Sequence, residues 1–316
     1  MSGLARMIAA LGAASIAWFA AASEACAQDE SPVLQKIGQA GAIALGYRED
    51  AAPFSYIGAD QQPTGFALDL CGLVAENVIE RLRLSGIRID YTPVTSANRA
   101  ELLNAGEIDI DCSAAPKTVD LARDAAVSIP IYVSQLRWLV PHQMRAGREE
   151  EGQPRAEVRT PSTVDDLLGK TVVLTQGSAA AVPVLDLSVG RFLGLSILYA
   201  KDSAAAFKLV ETGQAAAFID DDVVLLGLKA KAKNPDAYGF LQDSFPSASY
   251  VLATRKDDPQ FKELVDSVLT EAMKSGEYAK LYAKWFESPI PPGDINLNYA
   301  MPERVKRLVK DQGTAN

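Results

Sequence analysis

The 316-residue chain has a single histidine, His142, and three cysteines, Cys26, Cys71 and Cys112. One histidine and cysteines at these wide separations do not make the short-spaced ligand sets of zinc sites. No metal or other cofactor is expected. His142 stands beside Pro141 with no nucleophile near it in sequence, and reads as an exposed loop residue. There is no G-x-S-x-G. Gly169-Lys170-Thr171 resembles the end of a phosphate-binding loop, but Val164 occupies the position of the required first glycine and the strand follows instead of preceding. Positive charge is also short: the net charge is −9, which argues against nucleic acid and against docking on anionic membranes through a basic patch. Long apolar runs are missing beyond residues 7–22, and that run falls below the roughly 18–20 residues of a membrane span.

What is present begins with an export signal. Arg6, the apolar run at 7–22 and Ala25-Cys26-Ala27 fit a secretory leader over residues 1–27, with Gln28 as the mature start. Lipidation at Cys26 is the weaker alternative, since Ser23 and Glu24 precede it. Removing Arg6 and Glu24 together leaves the charge at −9. The remaining length exceeds the ~250 residues that one hydrophobic core serves, so two lobes are expected. Cys71 and Cys112 then face an oxidising compartment, where they form either a disulfide or two small buried apolar side chains.

Strand and helix alternate with short turns, the pattern of an α/β fold. Apolar residues 43–47 read as a buried strand. Residues 66–82 carry Leu70, Cys71, Val74, Val78 and Leu82 at helical spacing. Strands are expected at 87–94 and 108–112, with a helix at 98–104 stopped by Gly106. Residues 145–162, charged and rich in Gly and Pro, read as an exposed insertion. Strands at 171–175, 195–200 and 215–219 follow, alternating with helices, and then a strand near 249–253. An amphipathic helix comes next, with Phe261, Leu264, Val265, Val268 and Met273 on one face, then an aromatic-rich helix at 278–286 ended by prolines at 289–292. Asp220-Asp221-Asp222 precedes a helix, and capping accounts for at least one of the three more readily than a cation does.

Two arginines stand at ligand-facing positions of this scheme. Arg48 follows the first strand, and Arg99 sits one turn into a helix opened by Thr95-Ser96. Strand ends and helix starts favour anions in open α/β sheets. A planar guanidinium suits bidentate contact with a carboxylate, so a small carboxylate-bearing solute is implied. Phe54 and Tyr56 are read as core.

The string from Tyr47 to Tyr56 (YREDAAPFSY), then Thr64 to Cys71 (TGFALDLC), Pro93 to Arg99 (PVTSANR), Arg255 to Lys262 (RKDDPQFK), Trp285-Phe286 and Pro289 to Pro292 together resemble the periplasmic amino-acid-binding proteins of ABC transporters, in particular the glutamate/aspartate binders. The resemblance implies a type II periplasmic-binding-protein fold, two lobes joined by two chain crossings. It places lobe 1 at 32–133 with a return at 250–300, lobe 2 at 134–249, hinges near 132–135 and 247–250, and a C-terminal extension at 301–316. It implies a periplasmic, monomeric, non-enzymatic protein that hands an amino acid or dicarboxylate to a membrane permease. Arg48, Ser96 and Arg99 match the grip on an acidic side chain, Asp221 an ammonium-binding aspartate and Ser178 a hydroxyl donor.

Two positions depart from that pattern. Leu121 stands where the family has the arginine that holds the α-carboxylate, and Ser203 where the acidic-amino-acid binders have a histidine. Either Lys117 replaces the arginine or the ligand is not a standard amino acid. The altered clamp also leaves open an enzyme resembling cyclohexadienyl dehydratases on the same fold, with Asp221 as general acid.

Overall fold

The computed structural model describes residues 31–145, 158–176, 178, 180–293 and 295–314. The leader read at 1–27 and most of the 145–162 segment lie outside them. The described chain opens with α1 (Pro32–Ala40), capped by Ser31, whose hydroxyl accepts from the Leu34 amide at 3.1 Å. Strand β1 (Ala42–Tyr47) leads into a small three-stranded sheet of β2 (Asp50–Ala51), β3 (Ser55–Ile57) and β4 (Pro63–Thr64). Gly65 turns this sheet into α2 (Phe66–Leu82) at φ +140°, where a Cβ would meet the Phe54 carbonyl oxygen at 2.2 Å, so only glycine fits. The apolar stripe of α2 is buried as its period requires: Leu70, Cys71, Val74 and Val78 have no exposed surface. Then come β5 (Arg88–Pro93), α3 (Arg99–Ala105), β6 (Ile110–Pro116), α4 (Val119–Asp124) and β7 (Ala126–Val127). Cys71 on α2 and Cys112 on β6 are disulfide-bonded, with Cα atoms 6.3 Å apart. Strand β6 runs on to Pro116, beyond the expected end at Cys112.

Strand β8 (Tyr132–Pro141) carries the chain into the second half. There β9 (Met144–Arg145) pairs antiparallel with β10 (Val158–Arg159), so the insertion expected at 145–162 is closed at its base by a strand ladder. The second half repeats the alternation: β11 (Thr171–Thr175), α5 (Ala181–Gly190), β12 (Ser196–Ala200), α6 (Ser203–Glu211), β13 (Ala217–Asp221) and α7 (Asp222–Lys231). The long β14 (Tyr238–Thr254) returns to the first half, followed by α8 (Pro259–Ser275), α9 (Glu277–Tyr282) and a wide π turn at Ala283–Glu287. A short ladder of β15 (Pro289–Ile290) and β16 (Ile295–Asn296) precedes α10 (Glu303–Gly313).

The main sheet runs β12-β11-β13-β8-β14-β6-β1-β5, with β7 added on β14. Two parallel triplets, β12-β11-β13 and β6-β1-β5, are joined through the antiparallel pair β8–β14. Strand β14 is 17 residues long because it serves both halves: it pairs with β8 from Tyr238 to Tyr250 and with β6 from Tyr250 to Thr254, shifting register on the way. The apolar cores divide in the same way. One gathers α2, α8 and α9 around Phe66, Tyr282 and Phe286 and also takes in Val223 and Leu226 of α7, two cover the faces of β11 and β13 through Trp138, Leu174, Phe207 and Phe218, and a small one packs Leu103 and Leu121.

Asp258 ties the two ends of the first half together. Its carboxylate, 1% exposed, accepts from the Ser31 hydroxyl at 2.6 Å, the Val33 amide at 2.9 Å and the Phe261 amide at 2.9 Å. One side chain therefore satisfies orphan donors at the N-termini of α1 and α8.

Candidate functional site

A cleft of about 610 Å³ opens between the halves, and Arg48, Ser96 and Arg99 line it from one side. The parallel pair β1–β5 places their segments next to one another, since Tyr47 lies opposite Pro93 and the Val94 amide bonds to the Tyr47 carbonyl at 2.8 Å. From the other side come Asp202 and Ser203 at the start of α6, and one face of α7 bearing Val223, Val224, Gly227, Leu228 and Lys231. These α7 positions recur at four-residue intervals, so a single helical stripe forms the wall.

Both arginines already have carboxylate partners. Arg48 reaches Asp50 Oδ1 through Nε at 3.1 Å and Nη2 at 2.7 Å; the Arg48 side chain is 30% exposed and that of Asp50 73%. Such an exposed pair is worth little, and an incoming carboxylate competes with it readily. Arg99 is buried at the first turn of α3. Its Nη1 lies 3.2 Å from Asp111 Oδ2, its Nε donates to the Thr95 carbonyl at 3.2 Å, and its Nη2 reaches the Ser96 hydroxyl at 3.4 Å. Asp111 is fully buried on β6, and burial pushes its carboxyl up, against the opposing pull of Arg99 and the Ser113 amide. Its Oδ2 has the guanidinium charge nearby but no aligned donor. Asp111 thus orients Arg99 without saturating it. Asp111 lies in the strand expected at 108–112, but nothing in that pattern marks it as the partner of Arg99. Ser113, next in line on β6, also lines the cleft with a buried hydroxyl that has no partner among the described residues.

The aspartate triplet serves mainly hydroxyls: Asp221 occupies the N-cap of α7 without a side-chain capping bond, while Asp222 Oδ1 accepts from the first-turn Val223 amide at 3.0 Å. Asp220 accepts from the Ser203 hydroxyl at 2.7 Å, and burial raises its carboxyl to about 6. Asp221 accepts from Ser134 at 2.9 Å and from Tyr250, a cleft residue, at 2.6 Å. Burial and then Asp221 hold the Tyr250 phenol well above its usual range. Asp222, with no exposed surface, accepts from Tyr132, Ser134, Tyr299 and Arg304. Among the described residues no group of three or more His, Cys, Asp or Glu side chains is gathered for a metal.

Ser178 stands in the turn before α5, where its hydroxyl accepts from the Ala180 amide at 3.1 Å; neither it nor Asp221 is among the residues lining the cleft. Leu121 is packed with Val94, Leu103 and Ile108 in a small apolar cluster, and α4 sends no cation into the cleft. Lys117 is exposed and also outside it. Lys231, at the end of α7, is the lysine that does line it. The His142 ring packs over Gly239, close enough that a Cβ there would lie 2.5 Å from Cε1.

With this geometry in view, the profile of the bacterial extracellular solute-binding proteins, family 3, matches residues 43–288. The chain belongs to that family. It is 33% identical over 288 residues to a glutamate/aspartate import solute-binding protein of Salmonella typhimurium, covering 90% of each chain. It is 35% identical over 286 residues to an L-glutamate/L-aspartate-binding protein of Pseudomonas aeruginosa, covering 90% of this chain and 89% of that one. Among solved structures, an ancestral cationic amino acid solute-binding protein superposes with a TM-score of 0.59 at 24% identity, covering 80% of this chain and 98% of the other. An ancestral arginine-binding protein bound to arginine gives 0.56 at 22%, covering 78% and 98%. This family 3 member has the type II periplasmic-binding-protein fold, two lobes joined by the crossings β8 and β14. These curated relatives are solute-binding proteins, which favours capture of a solute over the dehydratase-like alternative.

Proposed function

We propose that the protein captures an acidic amino acid, glutamate or aspartate, in the periplasm and presents it to the permease of an ABC importer. The observation that carries this is the convergence of Arg48, Ser96 and Arg99 on one side of an interlobe cleft, in a chain a third identical to glutamate/aspartate binders. Arg48 and Arg99 hold the side-chain carboxylate, with Ser96 donating beside them. Asp221 receives the ammonium group at the cleft edge, where Tyr250 reaches it. Ser178 joins once the lobes close. Lobe 1 comprises residues 32–133 and 250–300, lobe 2 residues 134–249, with the hinges at 132–135 and 247–250. The protein acts as a monomer, exported by the leader at 1–27.

A thermal-shift screen of the twenty amino acids and common dicarboxylates tests the reading. A ligand at a hundred times its Kd stabilises by about 2.7 kcal/mol, so glutamate or aspartate should raise the melting temperature by several degrees. A screen in which no acidic amino acid stabilises the protein would overturn it.

A further inference from the structure

We infer that Arg304 is a positioning residue for ligand binding: through Asp222 it forms a third, non-covalent crossing between the lobes and sets where α7 faces the cleft. The inference rests on the proposed capture of an acidic amino acid only for its affinity readout. Helix α10 packs on α8 of lobe 1, with Val305 and Leu308 buried. From its first turn Arg304 reaches away from α8. Its Nε donates to the Val133 carbonyl at 2.9 Å on the crossing strand β8, and Nη2 contacts the Asp222 carboxylate and the Tyr299 hydroxyl. Asp222 is the first residue of α7, the helix whose stripe walls the cleft from lobe 2.

The carboxylate collects its donors from β8, from α7 and from the C-terminal segment. Ser134 and Tyr132 come from β8 at 3.0 and 3.2 Å, the Val223 amide from α7 at 3.0 Å, and Tyr299 from the C-terminal segment at 2.8 Å. The single Ser134 hydroxyl hydrogen is shared between Asp222 and Asp221, and Asp221 in turn holds Tyr250 of the second crossing, β14. A fully buried carboxylate needs such saturation to stay charged, and a planar guanidinium is the donor that can serve Val133 and Asp222 together. The C-terminal segment is therefore joined to β8 and to the cleft wall through one buried ion, and to β14 at one remove, through Asp221. Only α7 orientations that keep the contact face Arg48 and Arg99. Loosening it lowers the fraction of binding-competent molecules, and the apparent Kd rises by the inverse of that fraction.

The test compares wild type, Arg304→Met, Arg304→Lys and Tyr299→Phe as full-length mature chains. Calorimetry with L-glutamate and L-aspartate is run beside small-angle scattering of the unliganded proteins. Arg304→Met should weaken binding by at least tenfold and enlarge the unliganded radius of gyration. Arg304→Lys, which keeps the charge but serves one partner at a time, should recover part of both. Tyr299→Phe should stay folded and weaken binding a fewfold. Affinity within twofold of wild type in Arg304→Met, or in Tyr299→Phe if Arg304→Met does not fold, overturns the inference, as does tighter binding. If wild type binds neither amino acid, the functional proposal fails, and the radius of gyration decides this one: unchanged in Arg304→Met, it overturns it.

Discussion

Reducing the Cys71–Cys112 bond should cost lobe 1 a large share of its stability and disturb the cleft with it. The bond closes a loop of 41 residues, which by the chain-entropy relation restricts the unfolded state by about 4 kcal/mol. Both sulfurs are fully buried in the core that also holds α8 and α9, so the reduced thiols gain no compensating hydration. The closed loop contains Ser96 and Arg99, and Cys112 is flanked by Asp111 and Ser113. Loosening of α2 against β6 therefore reaches the guanidinium and the hydroxyl at the cleft. Urea denaturation with and without a phosphine reductant measures the effect. With a slope of about 3 kcal/mol per molar urea, the midpoint should fall by somewhat more than 1 M, and Cys71→Ala/Cys112→Ala should fall at least as far. A loss below about 1 kcal/mol under full reduction would refute the reasoning.

Asp258→Ala should lower stability by about 2–4 kcal/mol in the same denaturation assay, because it strips the cap of α8, frees the Ser31 hydroxyl from its partner and leaves the Val33 and Phe261 amides unsatisfied in the interior. Asp220 supplies a pH signature. Its carboxyl is raised in the folded state from 3.8 to about 6, so the folded form takes up the proton first, and the associated stability is complete below pH ~4 and lost as pH rises through about 6. Asp220→Asn should abolish that slope, worth about 2–3 kcal/mol between pH ~4 and ~7, as read from melting curves across that range.

Regular elements with strong periods were legible in the residues. The stripe Leu70, Cys71, Val74, Val78 located α2 at its true ends, and Thr171–Thr175 was bounded correctly as a buried strand. The two crossing strands were not read at their full length. β14 runs 17 residues through Pro246 and Ser247 with register shifts, so no single alternation runs its full length, and β8 alternates only from Tyr132 to Arg137 before the continuously buried Trp138–Val140. Helix α10 went unread because its sequence, ERVKRLVKDQG, is mostly charged and shows its short Val305–Leu308 stripe only against α8.

At the site, Arg48, Ser96 and Arg99 could be found because strand ends and helix starts are visible in sequence. Their carboxylate partners could not: Asp50 is two residues from Arg48, in a turn whose shape depends on the β2–β3 pairing, and Asp111 meets Arg99 only through the sheet. Beyond capping, the hydroxyl partners of the aspartate triplet could not be read, because Tyr132, Ser134, Ser203, Tyr250 and Tyr299 are widely scattered along the chain.

Calorimetric titration of L-glutamate and L-aspartate into wild type, Arg48→Met and Arg99→Met bears most directly on carboxylate capture by the two arginines. Arg48→Met is the cleaner variant, since its partner Asp50 remains solvated, whereas Arg99→Met also leaves Asp111 buried without its counter-charge. Micromolar or tighter binding by wild type, weakened at least a hundredfold in each variant, is the expected result, about 3 kcal/mol for each lost charge-assisted grip. Binding by Arg48→Met and Arg99→Met as tight as wild type would contradict it.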